Sequence, residues 1–304
     1  GAYATLGPAV LDFSVEHAAG PYMIPNIKTE GISVFTNNGV SGEFRGFGGN
    51  QITFALEGQM DRLADLLKMD PIEIRRRNIR KTTDVGPVGQ LIAPTDGASL
   101  VLEGISNLRK DSIPNHPEKK WIRRGSGTAI AMHGGGLGFG RLDHAGGRLS
   151  LTEDGKIEIS FGFEECGQGL LAVIENLTIS ELGCCKEDIS IVIGDTARVP
   201  ISGSSTASRG TSMVWHALQR MKEPFKKKLC EHVAAELHLP VEELTLGPFG
   251  VWHSGIKNGP CMTYEQCAKQ LSEPHTVLTS FHFPTTPDAI PGGHFLYSFG
   301  GVKV

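Results

Sequence analysis

A chain of 304 residues is long enough for two domains and a sizeable core, and its 29 basic against 33 acidic side chains give a net charge of −4. That balance argues against a nucleic-acid footprint, no apolar run approaches the roughly 20 residues of a membrane span, and no signal-peptide pattern opens the chain, so a cytoplasmic location is expected. Six cysteines (Cys166, Cys184, Cys185, Cys230, Cys261, Cys267) without C-x-x-C, and eleven histidines without H-E-x-x-H, predict reduced thiols rather than a disulfide framework or a zinc site.

In chain order, "GISVFTN" (Gly31 to Asn37) alternates well enough to predict a strand. It runs into "SGEFRGFGGNQ", Ser41 to Gln51, where four glycines, two phenylalanines and an arginine share eleven residues. Bare backbone of this kind lets N–H groups approach a ligand, and the N-terminus of a following helix adds about half a positive charge. That helix is predicted from Ile52, Leu56, Met60, Leu63 and Leu67, which recur as one buried face. Asp70 then caps a second helix, with Pro71 first and Glu73 completing a capping box. Arg75, Arg76, Arg77 and Arg80 read as its solvated end.

The polar, aperiodic "DSIPNHPEKK" (Asp111 to Lys120) predicts a boundary between domains at 1–112 and 121–304. Beyond it "GKIEISFGFEECGQG" gives a turn, an alternating strand and a glycine-rich loop, followed by Leu170, Val173, Ile174 and Leu177 at helical spacing. A strand in "ISIVIGDT" leads to the small-residue loop "PISGSSTASRGTS" and the helical run Met213, Val214, Ala217, Leu218 and Met221. Phe225, Leu229, Val233 and Leu237 predict another amphipathic helix, "LTLGPFGVWH" a hairpin, and Thr263 with Gln266 a capping box. The alternation of strands and helices predicts an α+β (mixed α/β) fold with mixed sheets and packed helices.

Three times, then, a small-residue loop feeds a helix. None matches a nucleotide-phosphate fingerprint, which makes a simple nucleotide-phosphate binder the weaker reading. Gln168 in "ECGQG" donates and accepts at once. Such a site suits a large polar heterocycle with an anionic tail.

"TNNGVSGEFRGFGGNQ" and "EGQMDRLADLLKMDPIEIRRRN", then "EDGKIEISFGFEECGQG" and "GDTARVPISGSSTASRGT", closely resemble, in this order, motifs of the molybdenum-binding subunit of the xanthine dehydrogenase and aldehyde oxidase family. The resemblance runs from about Gly1 to Met221 and more loosely to the end. It implies two molybdopterin-binding domains with a molybdopterin cofactor between them, often the cytosine dinucleotide form in bacteria. Phe44, Gln168, Ala207 and Ser208 match cofactor contacts, with Gln168 hydrogen-bonding the pterin. Arg45 and Ala207 match residues at the molybdenum, and Phe47 matches a ring packed against a flat substrate. Glu43, Asn50 and Cys166 depart from the family pattern, and a carboxylate at Glu43 favours the alternative of a non-catalytic scaffold with the same fold.

The implied reaction is hydroxylation of a purine-like heterocycle, such as xanthine or hypoxanthine, or of an aldehyde, with oxygen from water. Electrons would leave through iron–sulfur clusters and FAD on other segments or subunits, since six scattered cysteines could not hold such clusters. The family's G-x-G-E segment, which carries its glutamate base, and its N-terminal metal-site segment are not found. With no initial methionine and an end at "FGGVKV", inside what reads as a strand, the chain is expected to be the central piece of a larger subunit. No catalytic residue is assigned within it, and the isolated chain is expected to hold no cofactor and to catalyse no hydroxylation.

Overall fold

A computed structural model of the chain describes residues 1–3, 5–92, 94–108, 121–122, 125–138, 142–282 and 296–304. Helices and mixed sheets make it an α+β fold, arranged in two compact units: Gly1–Arg141 with Thr285–Val304, and Leu142–Pro284. The expected boundary at Asp111 to Lys120 lies outside the described residues, and the compact units divide the chain at other points than 112 and 121.

In the first unit, helices α1 (Gly7–Glu16), α2 (Gly49–Leu67), α3 (Pro71–Asn78) and α4 (Gly97–Leu108) accompany an antiparallel ribbon of β1 (Thr128–Gly134) and β9 (Tyr297–Lys303). Tyr22, Met60, Ala64, Ile72, Ile74, Leu102, Ile105 and Ile130 form its apolar core. Gly301 on β9 lets α4 approach: a Cβ there would lie 2.4 Å from Ile105 Cδ1. The strand expected at Gly31 to Asn37 does not form, and Ile32 and Phe35 are each 75% exposed. Alternation defines a possible strand face, but a ladder also needs a neighbouring edge, and none among the described residues pairs with this one.

The buried stripe of α2 is also not the expected one. Gly49, Glu57, Met60 and Ala64 point inward, while Leu63 and Leu67 are exposed. A carboxylate displaces the leucines because its partners are inside. Glu57 accepts from the Tyr22 hydroxyl, from Arg75 Nε at 2.9 Å and from the Ile130 N–H at 2.9 Å. Arg75 is fully buried and also donates to Asp61 Oδ1 at 2.8 Å and to the Pro71 carbonyl at 2.9 Å, so the solvated-end reading fails for it. It fails likewise for Arg80, which is buried and donates to the Val85 carbonyl. Filled hydrogen bonds are what make such burial tolerable. Arg76 and Arg77 do lie outside, and they draw off the Glu73 carboxylate at 2.9 and 2.8 Å. The predicted capping box is therefore half formed, with Asp70 accepting from Ile72 and Glu73 N–H.

The second unit is built on a four-stranded mixed sheet in the order β4 (Ile189–Ile193), β3 (Ile157–Phe161), β2 (His144–Leu151), β8 (Thr276–His282). β3 and β4 run parallel, with Ile157 opposite Ile189, and the other pairs are antiparallel. The crossover between the parallel strands is helix α5 (Leu170–Leu182), which packs on α6 (Gly210–Leu237). The two predicted helices of this region are one 28-residue helix that passes through Pro224. A proline inside a helix costs about 3 kcal/mol, but Met213, Val214, Ala217, Leu218, Met221, Phe225, Leu229 and Val233 form one fully buried stripe across it. Burying eight such side chains outweighs the missing bond. The hairpin of β5 (Leu244–Gly247) and β6 (Gly250–His253) forms as the sequence predicts, and so does the Thr263–Gln266 capping box that starts α7 (Tyr264–Gln270); a short strand β7 (Met262–Thr263) also pairs with β6.

Candidate functional site

In the first unit, the Ser41 to Gln51 loop closes as a tight coil ahead of α2. Phe47 N–H donates to the Phe44 carbonyl and Gly49 N–H to the Gly46 carbonyl, both at 2.8 Å, while Asn50 Nδ2 donates to the Arg45 carbonyl at 2.8 Å. Gly48 is the hinge of this coil. Its φ is +95°, and a Cβ there would lie 2.3 Å from Ser14 Oγ and 2.6 Å from the Val10 carbonyl. With the backbone pressed onto α1 in this way, Phe44 and Arg45 project into solvent. Glu43 is exposed beside them. Phe47 is half-buried at φ +49°, its ring edge-on to Phe13 with centroids 6.1 Å apart.

In the second unit, two loops leave the carboxyl ends of the neighbouring parallel strands β3 and β4. That is where open α/β sheets present ligand sites. The first loop carries Gln168, whose Oε1 accepts from Cys166 N–H and whose Nε2 donates to the Glu164 carbonyl, each at 2.7 Å. Gly167 and Gly169 flank it at φ +97° and +84°, and a Cβ on either would meet nothing within 4 Å. The second loop carries Ala207 and Ser208, consecutive non-glycine residues in the left-handed region at φ +59° and +52°. Each such residue costs about 1–2 kcal/mol and persists only where its surroundings enforce it.

Sequence reasoning missed those surroundings. Arg209 is buried, with Nε and Nη2 on the Ser204 carbonyl at 3.0 and 2.6 Å and Nη1 on Asp143 Oδ1 at 2.8 Å and the His144 carbonyl at 2.7 Å. Its guanidinium also sits 5.6 Å from the Phe163 ring centroid. Ser202, also buried, donates to the Gly146 carbonyl at 2.6 Å and accepts from Gly162 N–H at 2.8 Å. Glu164 and Ser205 bond to each other across the two loops. The available signal was a glutamate pair directly before "CGQG" and an arginine directly after Ala207–Ser208.

The expectation of an anion at a helix N-terminus changes here. Glu165 Oε1 accepts from Gly167 N–H at 2.7 Å and Gly169 N–H at 3.0 Å, and Oε2 from Leu171 N–H at 3.2 Å. These backbone donors, Gly169 first, hold its carboxyl below the usual range. The positive end of α5 is thus satisfied by the chain's own carboxylate. What remains outward is the open backbone of two glycines, an amide and two small residues. Among the described residues no cluster of His, Cys, Asp and Glu forms a protein-built metal site, and no helix is long and apolar enough to cross a membrane. All six cysteines are free thiols.

Two models of molybdopterin cofactor-binding domains match the chain, one at residues 1–79 and one at 103–304. The chain belongs to this family. It is 62% identical over 306 residues to a probable xanthine dehydrogenase subunit of Bacillus subtilis, covering all of this chain and 40% of that protein. It is 30% identical over 216 residues to the xanthine dehydrogenase molybdenum-binding subunit of Escherichia coli, covering 70% of this chain and 29% of that one. The crystal structure of the aldehyde oxidoreductase from Desulfovibrio desulfuricans shares the fold with a TM-score of 0.71 at 22% identity, over all of this chain and 32% of that one. The chain therefore spans well under half the length of these relatives.

The residues present suit a pterin. A flat heterocycle edged with donors and acceptors needs close, unobstructed backbone, and Gly167 and Gly169 provide it because neither has an atom above its missing Cβ. An amide offers two hydrogens and two lone pairs; the Cys166 N–H and thiol occupy the Gln168 oxygen and the Glu164 carbonyl takes one hydrogen, so Gln168 keeps one N–H to donate.

Proposed function

We propose that this chain is the cofactor-facing part of a molybdenum hydroxylase acting on a purine-like heterocycle of the xanthine or hypoxanthine type, or on an aldehyde. The observation that carries the proposal is the pair of loops at the ends of β3 and β4, which present Gln168 beside open glycines and Ala207–Ser208 in a left-handed step, on a chain of the molybdopterin-binding family. We read Gln168, Ala207, Ser208 and Phe44 as cofactor contacts, Arg45 and Ala207 as lying at the molybdenum, and Phe47 as the apolar wall for a planar substrate. When bound, molybdopterin supplies the two-electron chemistry that inserts water-derived oxygen at an electron-poor carbon. The chain's own part is orientation: an amide fixes the pterin edge, a cation balances charge beside the metal, and an aromatic face aligns the substrate.

The matches at residues 1–79 and 103–304 support two modules, read as 1–112 and 121–304. Two relatives are named as subunits, which supports partner chains; we read those partners as carriers of iron–sulfur and flavin centres, and the enzyme as cytoplasmic. Elemental analysis of the full-length protein, pterin fluorescence after denaturation, and dye reduction with hypoxanthine and an aromatic aldehyde test the proposal together. Near-stoichiometric molybdenum with turnover on one substrate is expected. A full-length protein without pterin overturns the reading.

A further inference from the structure

We propose that Glu164 is a positioning residue which, with Ser205, sets the spacing of the two loops carrying Gln168 and Ala207–Ser208. The inference rests on reading those three residues as cofactor contacts. Glu164 bonds in two directions. Its carbonyl accepts from Gln168 Nε2 at 2.7 Å, while its N–H donates to Ser205 Oγ at 2.6 Å and its Oε2 accepts from Ser205 N–H at 3.1 Å. Ser205 stands two residues before Ala207, and the residue before it, Ser204, is held by Arg209. The second loop is thus gripped at consecutive residues, and one of those grips also fixes the Gln168 amide. A displacement of Glu164 reaches Gln168 on one side and the left-handed step on the other.

The same geometry separates positioning from general stability. Glu164 is exposed and belongs to neither apolar core, so truncating it removes little that holds the unit folded. Removing its carboxylate does free the Ser205 N–H and leaves Glu164 and Ser205 joined only through the Glu164 N–H. Glutamine at this position keeps an acceptor oxygen in the same place and should restore the clamp.

The test uses the full-length protein as Glu164→Ala, Glu164→Gln and Ser205→Ala. Glu164→Ala is expected to release pterin about tenfold faster than the unaltered protein, the size of one charge-assisted hydrogen bond, with a melting temperature within about 2 °C as for a surface change. Glu164→Gln is expected within about twofold of the unaltered protein, and Ser205→Ala between the two. Amide hydrogen exchange over residues 203–208, which needs no cofactor, is expected to accelerate in Glu164→Ala and to recover in Glu164→Gln. Unchanged pterin release and unchanged exchange in Glu164→Ala overturn the clamp. Equal loss in the Ala and Gln variants, or a large fall in melting temperature, overturns positioning as the role. If the unaltered full-length protein holds no pterin, the cofactor reading fails and the positioning role with it, while the exchange data still report separately whether the clamp exists.

Discussion

Arg209 takes the Ser204 carbonyl with two nitrogens, Nε at 3.0 Å and Nη2 at 2.6 Å, from within the second unit rather than from its surface. The same guanidinium faces the buried Asp143 carboxylate at 2.8 Å. Removing one partner of a buried ion pair typically costs about 3–5 kcal/mol, because the remaining charge loses its compensation. Arg209→Ala is therefore expected to lower the unfolding free energy by about that amount in urea titrations. Arg209→Lys should recover only part, since an ammonium cannot reproduce the fork. A loss under about 1 kcal/mol would contradict the burial argument.

Ala207 tests the left-handed step. At φ +59°, glycine relieves a steric cost of about 1–2 kcal/mol and gives back part of it in chain entropy, so Ala207→Gly should be neutral or slightly stabilising. Ala207→Val adds a branched side chain where the backbone tolerates it least, and is expected to destabilise by about 2 kcal/mol or more. Denaturant midpoints of the two variants should move in opposite directions or differ by at least that margin.

Gly48 makes the matching case in the first unit. An alanine there is strained at φ +95° and also collides with the Val10 carbonyl, which is backbone of α1 and cannot swing aside. Gly48→Ala is expected to cost about 2–3 kcal/mol and to speed amide exchange in Phe44–Gly49. Gly58, with nothing within 4 Å of its missing Cβ, is the control: Gly58→Ala in the middle of α2 should stabilise by about 0.5–1 kcal/mol.

Alkali should unfold the second unit through its thiols. Burial pushes Cys184 and Cys267 up to about 12, and burial followed by the Asp188 hydrogen bond pushes Cys185 up to about 11, all from 9.0. Burial raises the Tyr264 phenol as well. Each thiol holds its proton more tightly folded than unfolded, so its contribution is complete below pH 9 and is lost as pH rises toward about 12. A urea midpoint that stays level from about pH 8 to about pH 11.5 would refute this. Thiol titration of denatured, unreduced protein should count about six.

In the full-length protein, Arg45→Ala is expected to depress turnover while leaving the melting temperature nearly unchanged, because the side chain is exposed and packs no core. Phe47→Ala should mainly weaken substrate binding, by about 1–3 kcal/mol, with a small loss of stability from its contact with Phe13. Steady-state kinetics on the best purine or aldehyde substrate decide both.

Local chemistry was legible in the order of residues alone. The Asp70 and Thr263 caps, the Leu244 to His253 hairpin and the Met213 to Met221 stripe rest on interactions within a few residues, which the sequence states directly. The glycine loops and their motif order pointed likewise to a molybdopterin-binding chain, since motif order survives where single residues drift. Tertiary structure alone decided which polar groups go inside. Glu57 and Arg75 look solvated by composition, and partners far along the chain, 18 residues between Arg75 and Glu57 and 73 between Glu57 and Ile130, make such burial possible; Arg80 reaches across 60 residues to the Gly20 carbonyl as well as to nearby Val85. It decided equally that Gly31 to Asn37 is no strand, because a ladder depends on a second edge that no local pattern encodes. The clamp from Glu164 to Ser205 spans 41 residues. It exists because β3 and β4 lie side by side, a juxtaposition set by the buried sheet and the helices packed on it.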